Sequence, residues 1–232
     1  MNRPLDLALG CAPDSWKIGM NRFLLIACRF AAFGLSNLCF LTSAASAADM
    51  IPLPAKTPVE GLSQTEWSQR WWQWAFSFER SKSPIADLSG DRCGSRQVGN
   101  VWFLAGSYST NRIERTCRVP AGKTLFFPLI NYVYFHQGDD PPDCPSLVRK
   151  AAKLTDRPGA LVLEIDGKRI DKLETYRLAT PCFSVVPGEA VDAAANGYYV
   201  ALAPLPKGEH TLNFGGILNN FTQAISYRLL VE

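Results

Sequence analysis

Two short, dense apolar runs dominate the chain: residues 101–105 (VWFLA) and 125–130 (LFFPLI). Runs of this length and density mark strands buried on both faces. The first strand is predicted over 97–105. A polar turn at 107–112 leads to 113–119, read as its antiparallel partner. Pro120-Ala121-Gly122 turns the chain into a strand at 124–131, where Pro128 implies a bulge or an edge position. From residue 160 the pattern alternates. Leu161, Leu163 and Ile165 share one face, and Asp166-Gly167 spells a two-residue hairpin. Further strands are expected at 168–170, 173–180, 198–203, 209–214 and 224–231. A loop at 184–196 and an Asn196-Gly197 turn precede the third of these, and Gly215-Gly216 with a loop precedes the last.

Helical periodicity occurs twice. Ser63-Gln64-Thr65-Glu66 forms a capping box, and Trp67, Trp71, Trp74 and Phe78 then fall on one face of a helix reaching about residue 78. Trp72 lies off that stripe and is the tryptophan expected to be exposed. The stripe itself reads either as aromatic packing of the helix onto a sheet or as a platform for sugars. A second, short helix begins after Asp143 as N-cap, with Pro145 in its first turn and Leu147, Ala151 and Leu154 on one face. The sum is a mainly β fold: an antiparallel β-sandwich or jelly-roll-like domain over 63–232, preceded by a Pro-rich extended arm at 48–62.

The first 47 residues obey a different logic. Met20-Asn21-Arg22 and Arg29 are followed by an apolar stretch at 30–41 and by Ala45-Ser46-Ala47, which is the order of a secretory signal peptide. Counted from Met20 the segment has the ordinary length of such a leader, so Met20 is the expected start. An apolar run of about 12 residues falls short of the ~20 needed to span a bilayer, so no stable membrane span is expected after cleavage. The 232-residue chain carries a net charge of +3. Residues 1–47 hold four of its basic and two of its acidic side chains, so the remainder is close to neutral. That balance gives nucleic acid no electrostatic footing as a partner.

Of seven cysteines, Cys11, Cys28 and Cys39 precede the cleavage site. Cys93, Cys117, Cys144 and Cys182 remain, an even set that reads as two disulfides in an oxidising compartment. Three pairings are possible. Cys93–Cys117 with Cys144–Cys182 is favoured because each bond closes one local segment. A metal site is the weaker reading, with no C-x-x-C spacing and only two histidines in the chain.

Several stretches share one further pattern: residues 99–106 (GNVWFLAG), 117–123 (CRVPAGK), 125–128 (LFFP) with Asn131, 208–211 (GEHT) with 214–216 (FGG), and the helix carrying Trp71, Trp72 and Trp74. Together they resemble a family of exported bacterial proteins, over nearly all of the chain after residue 47. The resemblance implies a bacterial, exported protein and carries over no activity and no catalytic residue.

Catalytic signatures are lacking. There is no H-E-x-x-H, no G-x-S-x-G, no phosphate loop and no dinucleotide fingerprint, and no cofactor is implied. His136 stands beside Asp139, Asp140 and Asp143 in a Gly/Pro-rich loop. Those groups could serve acid–base chemistry or hold Ca²⁺, or they could form a solvated turn with a helix cap. His210 alternates with Leu212 and Phe214 and reads either as a hydrogen-bonded core histidine or as a catalytic base. Asn213, Asn219 and Asn220 flank the glycine pair, where a loop could contact a ligand. Arg112, Glu114, Arg115 and Arg118 read as charges of the hairpin between the first two strands. The leading expectation is an exported, non-catalytic β-sandwich binding a small molecule, a glycan or another envelope component, with Trp72, Asn213 and Asn219 as contact candidates. An extracytoplasmic hydrolase or lyase using His136 or His210 is the second reading, and a structural envelope protein the third.

Overall fold

The computed structural model describes residues 50–136, 138, 143–188, 192–219 and 221–232. The expected leader, Asp139, Asp140 and Asn220 lie outside them. Among the described residues the fold is mainly β, with two sheets and two α-helices. In chain order the elements are β1 (Pro52–Leu53), α1 (Gln64–Phe76), β2 (Val101–Phe103), β3 (Ile113–Val119), β4 (Thr124–Phe135), α2 (Cys144–Thr155), β5 (Ala160–Ile165), β6 (Lys168–Arg169), β7 (Arg177–Ala179), β8 (Phe183–Ser184), β9 (Asp192–Leu202), β10 (Gly208–Leu218) and β11 (Phe221–Val231).

The first sheet runs β1-β9-β4-β2, with β7 and β8 also paired to β9. The second runs β3-β11-β10-β5-β6. Phe127 of one sheet meets Phe214 of the other, ring centroids 4.7 Å apart, in a core that also takes Leu163, Tyr227 and Leu229. A second core fills the space between the outer face of the first sheet and α1, where Trp67, Trp71 and Trp74 pack on Phe103, Phe126 and Tyr199. The tryptophan stripe is therefore packing, and the capping box that opens α1 is formed by Ser63 and Glu66. The Ser63 hydroxyl and then its N–H hold the Glu66 carboxyl below its ordinary pKa. The third core is small: Leu147 and Ala151 of α2 on Ala194 of β9.

Several local expectations hold. Asp166 and Gly167 both take positive φ and close the β5–β6 hairpin. The register of β4 against β9 slips between Pro128 and Ile130, the bulge that a proline in a strand demands. Asp143 caps α2, its carboxylate accepting from the Ser146 N–H at 2.7 Å. Cys93 is bonded to Cys117 and Cys144 to Cys182, with Cα–Cα separations of 5.9 and 5.6 Å.

Other expectations are corrected. β2 and β3 are not a hairpin. β2 pairs parallel with β4, and β3 pairs parallel with β11 in the opposite sheet. Polar residues separate these two runs, but they belong to a crossing between sheets and not to a turn. Asn196-Gly197 lies inside β9, which starts at Asp192; the Asn196 amide oxygen is spent on Thr155 (2.7 Å) and Arg177 (2.9 Å) and is not available to shape a turn. Gly215 and Gly216 lie inside β10, because a Cβ on Gly215 would sit 2.0 Å from the Gln223 carbonyl oxygen of the neighbouring strand. The strand expected over 173–180 is a 3₁₀ turn, Leu173–Tyr176, that leads into β7. Within the stretch expected as an extended arm, Pro52 and Leu53 form β1 and pair with Leu202 and Ala201.

Candidate functional site

β4 is longer than its partner β2. The last bond between the two segments runs from the Leu104 N–H to the Phe126 carbonyl. Beyond it the chain bends away from β4 through Ala105, Gly106 and Ser107. Gln223 of β11 wedges the two apart. Its amide nitrogen donates to the carbonyls of Pro128 (3.2 Å) and Leu129 (2.7 Å), and its amide oxygen accepts from the Ser107 N–H (3.1 Å). One side chain thus replaces the hydrogen bonds that a continued β2 would have made. Gly106 permits it, because a Cβ there would lie 2.3 Å from the Gln223 amide oxygen. Replacing Gln223 with leucine should cost about 2 kcal/mol, since three buried backbone groups lose their only side-chain partner. Urea denaturation would check this, and an unchanged midpoint would show that water fills the gap.

Past the wedge the two backbones diverge into a cleft of 290 Å³. α1 forms one wall with Trp71, Trp72 and Phe76. Phe221 and Gln223 form the opposite one, Asn131, Tyr132 and Val133 of β4 the floor, and Gly106, Ser107 and Tyr108 the far side. Phe76, Tyr108 and Tyr132 are 41, 43 and 41% exposed, so three of the eight large apolar side chains exposed among the described residues surround one cavity. Arg80 stacks on the Tyr108 ring at 4.2 Å.

Beneath the cleft, Tyr199 is completely buried. Its hydroxyl accepts from the Trp72 indole N–H (2.9 Å) and from the Asn131 amide (3.1 Å). Burial drives its pKa far above the ordinary tyrosine value, so it stays a neutral anchor. Trp72 is therefore half-buried with its N–H committed, and it offers the cleft only part of a ring face. Among the described residues, no carboxylate, histidine, lysine or cysteine lines this cavity.

Behind the far side lies Arg115 of β3. The sequence places it among the solvated charges of a hairpin, yet it is only 3% exposed. Its guanidinium donates to the carbonyls of Asp87 (2.8 Å), Ala105 (2.8 Å), Gly106 (2.9 Å) and Ile85 (3.3 Å), and to the Tyr227 hydroxyl (3.0 Å). Burial raises the Tyr227 pKa, an effect that Arg115 opposes. The Asp87 carboxylate is not an ion-pair partner of Arg115. Burial pushes its pKa up, but the N–H groups of Arg92 and Ser89, with the Ser89 hydroxyl, outweigh this and leave it lowered.

The other candidates lie elsewhere. His210 is 9% exposed, with Nδ1 2.7 Å from an Asp166 carboxylate oxygen and Nε2 2.9 Å from the Pro206 carbonyl. Both ring nitrogens are engaged, so neither faces a ligand, and the ring pins the β5–β6 turn to β10. His136 is exposed at the end of β4, while Asp139 and Asp140 lie outside the described residues. Asp143, the remaining oxygen donor proposed for Ca²⁺, is occupied as the cap of α2. Asn213 lies in a second hollow of 540 Å³ on the solvent face of the second sheet, beside Val162 and Ile217. Its amide is spent on Glu164 and Ser226. Asn219 takes a positive φ in the turn after β10, its amide reaching the Leu154 carbonyl at 3.4 Å.

The strands β4 and β11 are legible in the sequence, but the convergence of Asn131 and Gln223 on one cavity is not. Comparisons of the chain with protein-family models, curated proteins and solved structures return no match, so function is argued from the geometry of this cleft.

Proposed function

We propose that the protein is an exported, non-catalytic binding module whose ligand seats in the aromatic cleft at the end of β4. The observation that carries the reading is the convergence of exposed Phe76, Tyr108 and Tyr132 on two uncharged polar side chains, Asn131 and Ser107. Apolar walls with a few fixed polar groups are the ordinary make-up of a binding pocket. Among the described residues the lining holds no carboxylate, imidazole, ammonium or thiol, which supports recognition over turnover. Two disulfides, and the absence of any helix long and apolar enough to cross a membrane among the described residues, are compatible with export. So is the leader-like sequence ahead of residue 48.

Titration of the disulfide-intact protein against neutral oligosaccharides and blocked octapeptides tests this, followed by calorimetry and by the fluorescence of the tryptophans beside the cleft. One class should bind saturably. The Tyr108→Ala/Tyr132→Ala double variant should bind about tenfold more weakly, the sum of two lost ring contacts. Equal binding by the double variant, turnover of a probe, or no saturable binding by either class would overturn the proposal.

A further inference from the structure

Asn131, Tyr132 and Val133 are consecutive, and all three line the cleft. Successive side chains of a strand point to opposite faces. Three neighbours can border one cavity only if the cavity lies against the edge of the strand. β9 occupies the other edge of β4 from Leu125 to Phe135, with the bulge at Leu129, while β2 covers only Thr124, Leu125 and Phe126. Among the described residues, β4 takes no further strand on its cleft-side edge. The floor is thus a stretch of strand edge about 10 Å long, at ~3.3 Å per residue.

We infer that the occupant of the cleft is an extended polypeptide segment that adds as a strand to this edge. The inference rests on the cleft being the binding site and names its ligand class. An edge presents N–H and C=O groups at strand spacing, which an extended backbone matches and a sugar ring does not. The walls specify the rest. An inserted strand would send alternate side chains toward Trp72 and Phe76 on one side and toward Phe221 on the other. The side chains that meet it on both walls, Trp72 and Phe76 on one and Phe221 on the other, are aromatic, so the segment carries a short continuous apolar run and not an alternating one. The edge is recessed between α1 and the β10–β11 hairpin, which admits a free extended segment and excludes the edge of a second folded sheet.

The test uses a blocked octapeptide with three central valines between threonines, measured by calorimetry on the disulfide-intact protein. Two isomers carry backbone N-methyl groups on alternate central residues. A strand added to one edge faces it with every second residue, so one isomer should bind about tenfold more weakly, for one lost hydrogen-bonded pair. The other should stay within about threefold of the parent peptide. Hydrogen exchange at residues 131–133 should slow on binding. Any other ranking of the isomers overturns the inference, as does unchanged exchange. Saturable binding of the oligosaccharides without the peptide also overturns it, yet leaves the cleft as the binding site. Binding of neither class removes both.

Discussion

Replacing Arg115 with methionine should destabilise the protein by about 3–5 kcal/mol, the range for breaking a buried charged network. The methionine keeps the apolar stem, so the loss reports on the guanidinium. Four carbonyls and a tyrosine hydroxyl converge on it. Without the cation the carbonyls of Ile85, Asp87 and Gly106 are each short of a donor, at about 1–3 kcal/mol where water cannot enter, while the Ala105 carbonyl keeps the Tyr227 hydroxyl as its donor at 3.2 Å. Relief of the desolvation of one buried charge offsets part of this, which is why the sum is not larger. At about 2 kcal/mol/M for a chain of this size, the urea midpoint falls by about 2 M. Lysine should rescue little, because a single ammonium cannot span acceptors arranged for a planar fork. A loss below about 1 kcal/mol would show that water replaces the guanidinium and that the cage is not structural. Because Arg115 holds the Ala105 and Gly106 carbonyls, the same variant should bind the cleft probe more weakly than its remaining folded fraction predicts.

Arg115 also shows where reading the sequence stops. Its neighbours in β3 alternate in and out as the pattern implies: Ile113, Cys117 and Val119 inward, Glu114, Thr116 and Arg118 outward. Position 115 is inward by the same parity, but a charge there reads as surface unless its partners are known. Those partners come from residues 85–87 and 105–106 and from β11, which no periodicity connects. The tryptophan stripe, both helix caps, the Asp166-Gly167 hairpin and the inner face of β11 are legible because each is a local pattern. The pairing of β2 with β4, and of β3 with β11, is not. Both are parallel, and parallel partners are joined by long connections that leave no turn signature. The cleft exists because β4 outlasts β2 and Gln223 fills the break, a relation among three distant segments. Its one local signal is Pro128, which announces the bulge whose carbonyl Gln223 holds.

Removal of the disulfides should separate two kinds of anchoring. With sequence separations of 24 and 38, the chain-entropy model gives each bond about 3–4 kcal/mol. Two quite different outcomes are nevertheless expected. Cys117 is buried in the main core, and Cys93 packs against it. With Cys93→Ala/Cys117→Ala the sheets still hold β3 in place through β11. The whole domain should lose stability cooperatively, its melting temperature falling by about 6–16 °C at ~2–4 °C per kcal/mol. Cys144–Cys182 instead ties the first residue of α2 to the segment before β8, above a core with three buried side chains among the described residues and Tyr134, Val148 and Cys182 partly buried against them. So small an apolar contact, with the hydrogen bonds of Thr155 and Tyr198 at the far end of the helix, supplies little to hold the near end. In Cys144→Ala/Cys182→Ala, amides of residues 144–151 should therefore exchange with solvent ahead of global unfolding, while β10 and β11 keep their protection. Uniform loss of protection would show that α2 belongs to the same cooperative unit as the sheets. The chemistry has its own check, one that also bears on export: protein taken from the cell envelope should add four alkyl groups at Cys93, Cys117, Cys144 and Cys182 only after reduction. Alkylation of the unreduced protein at any of these positions would contradict an oxidising home for the chain.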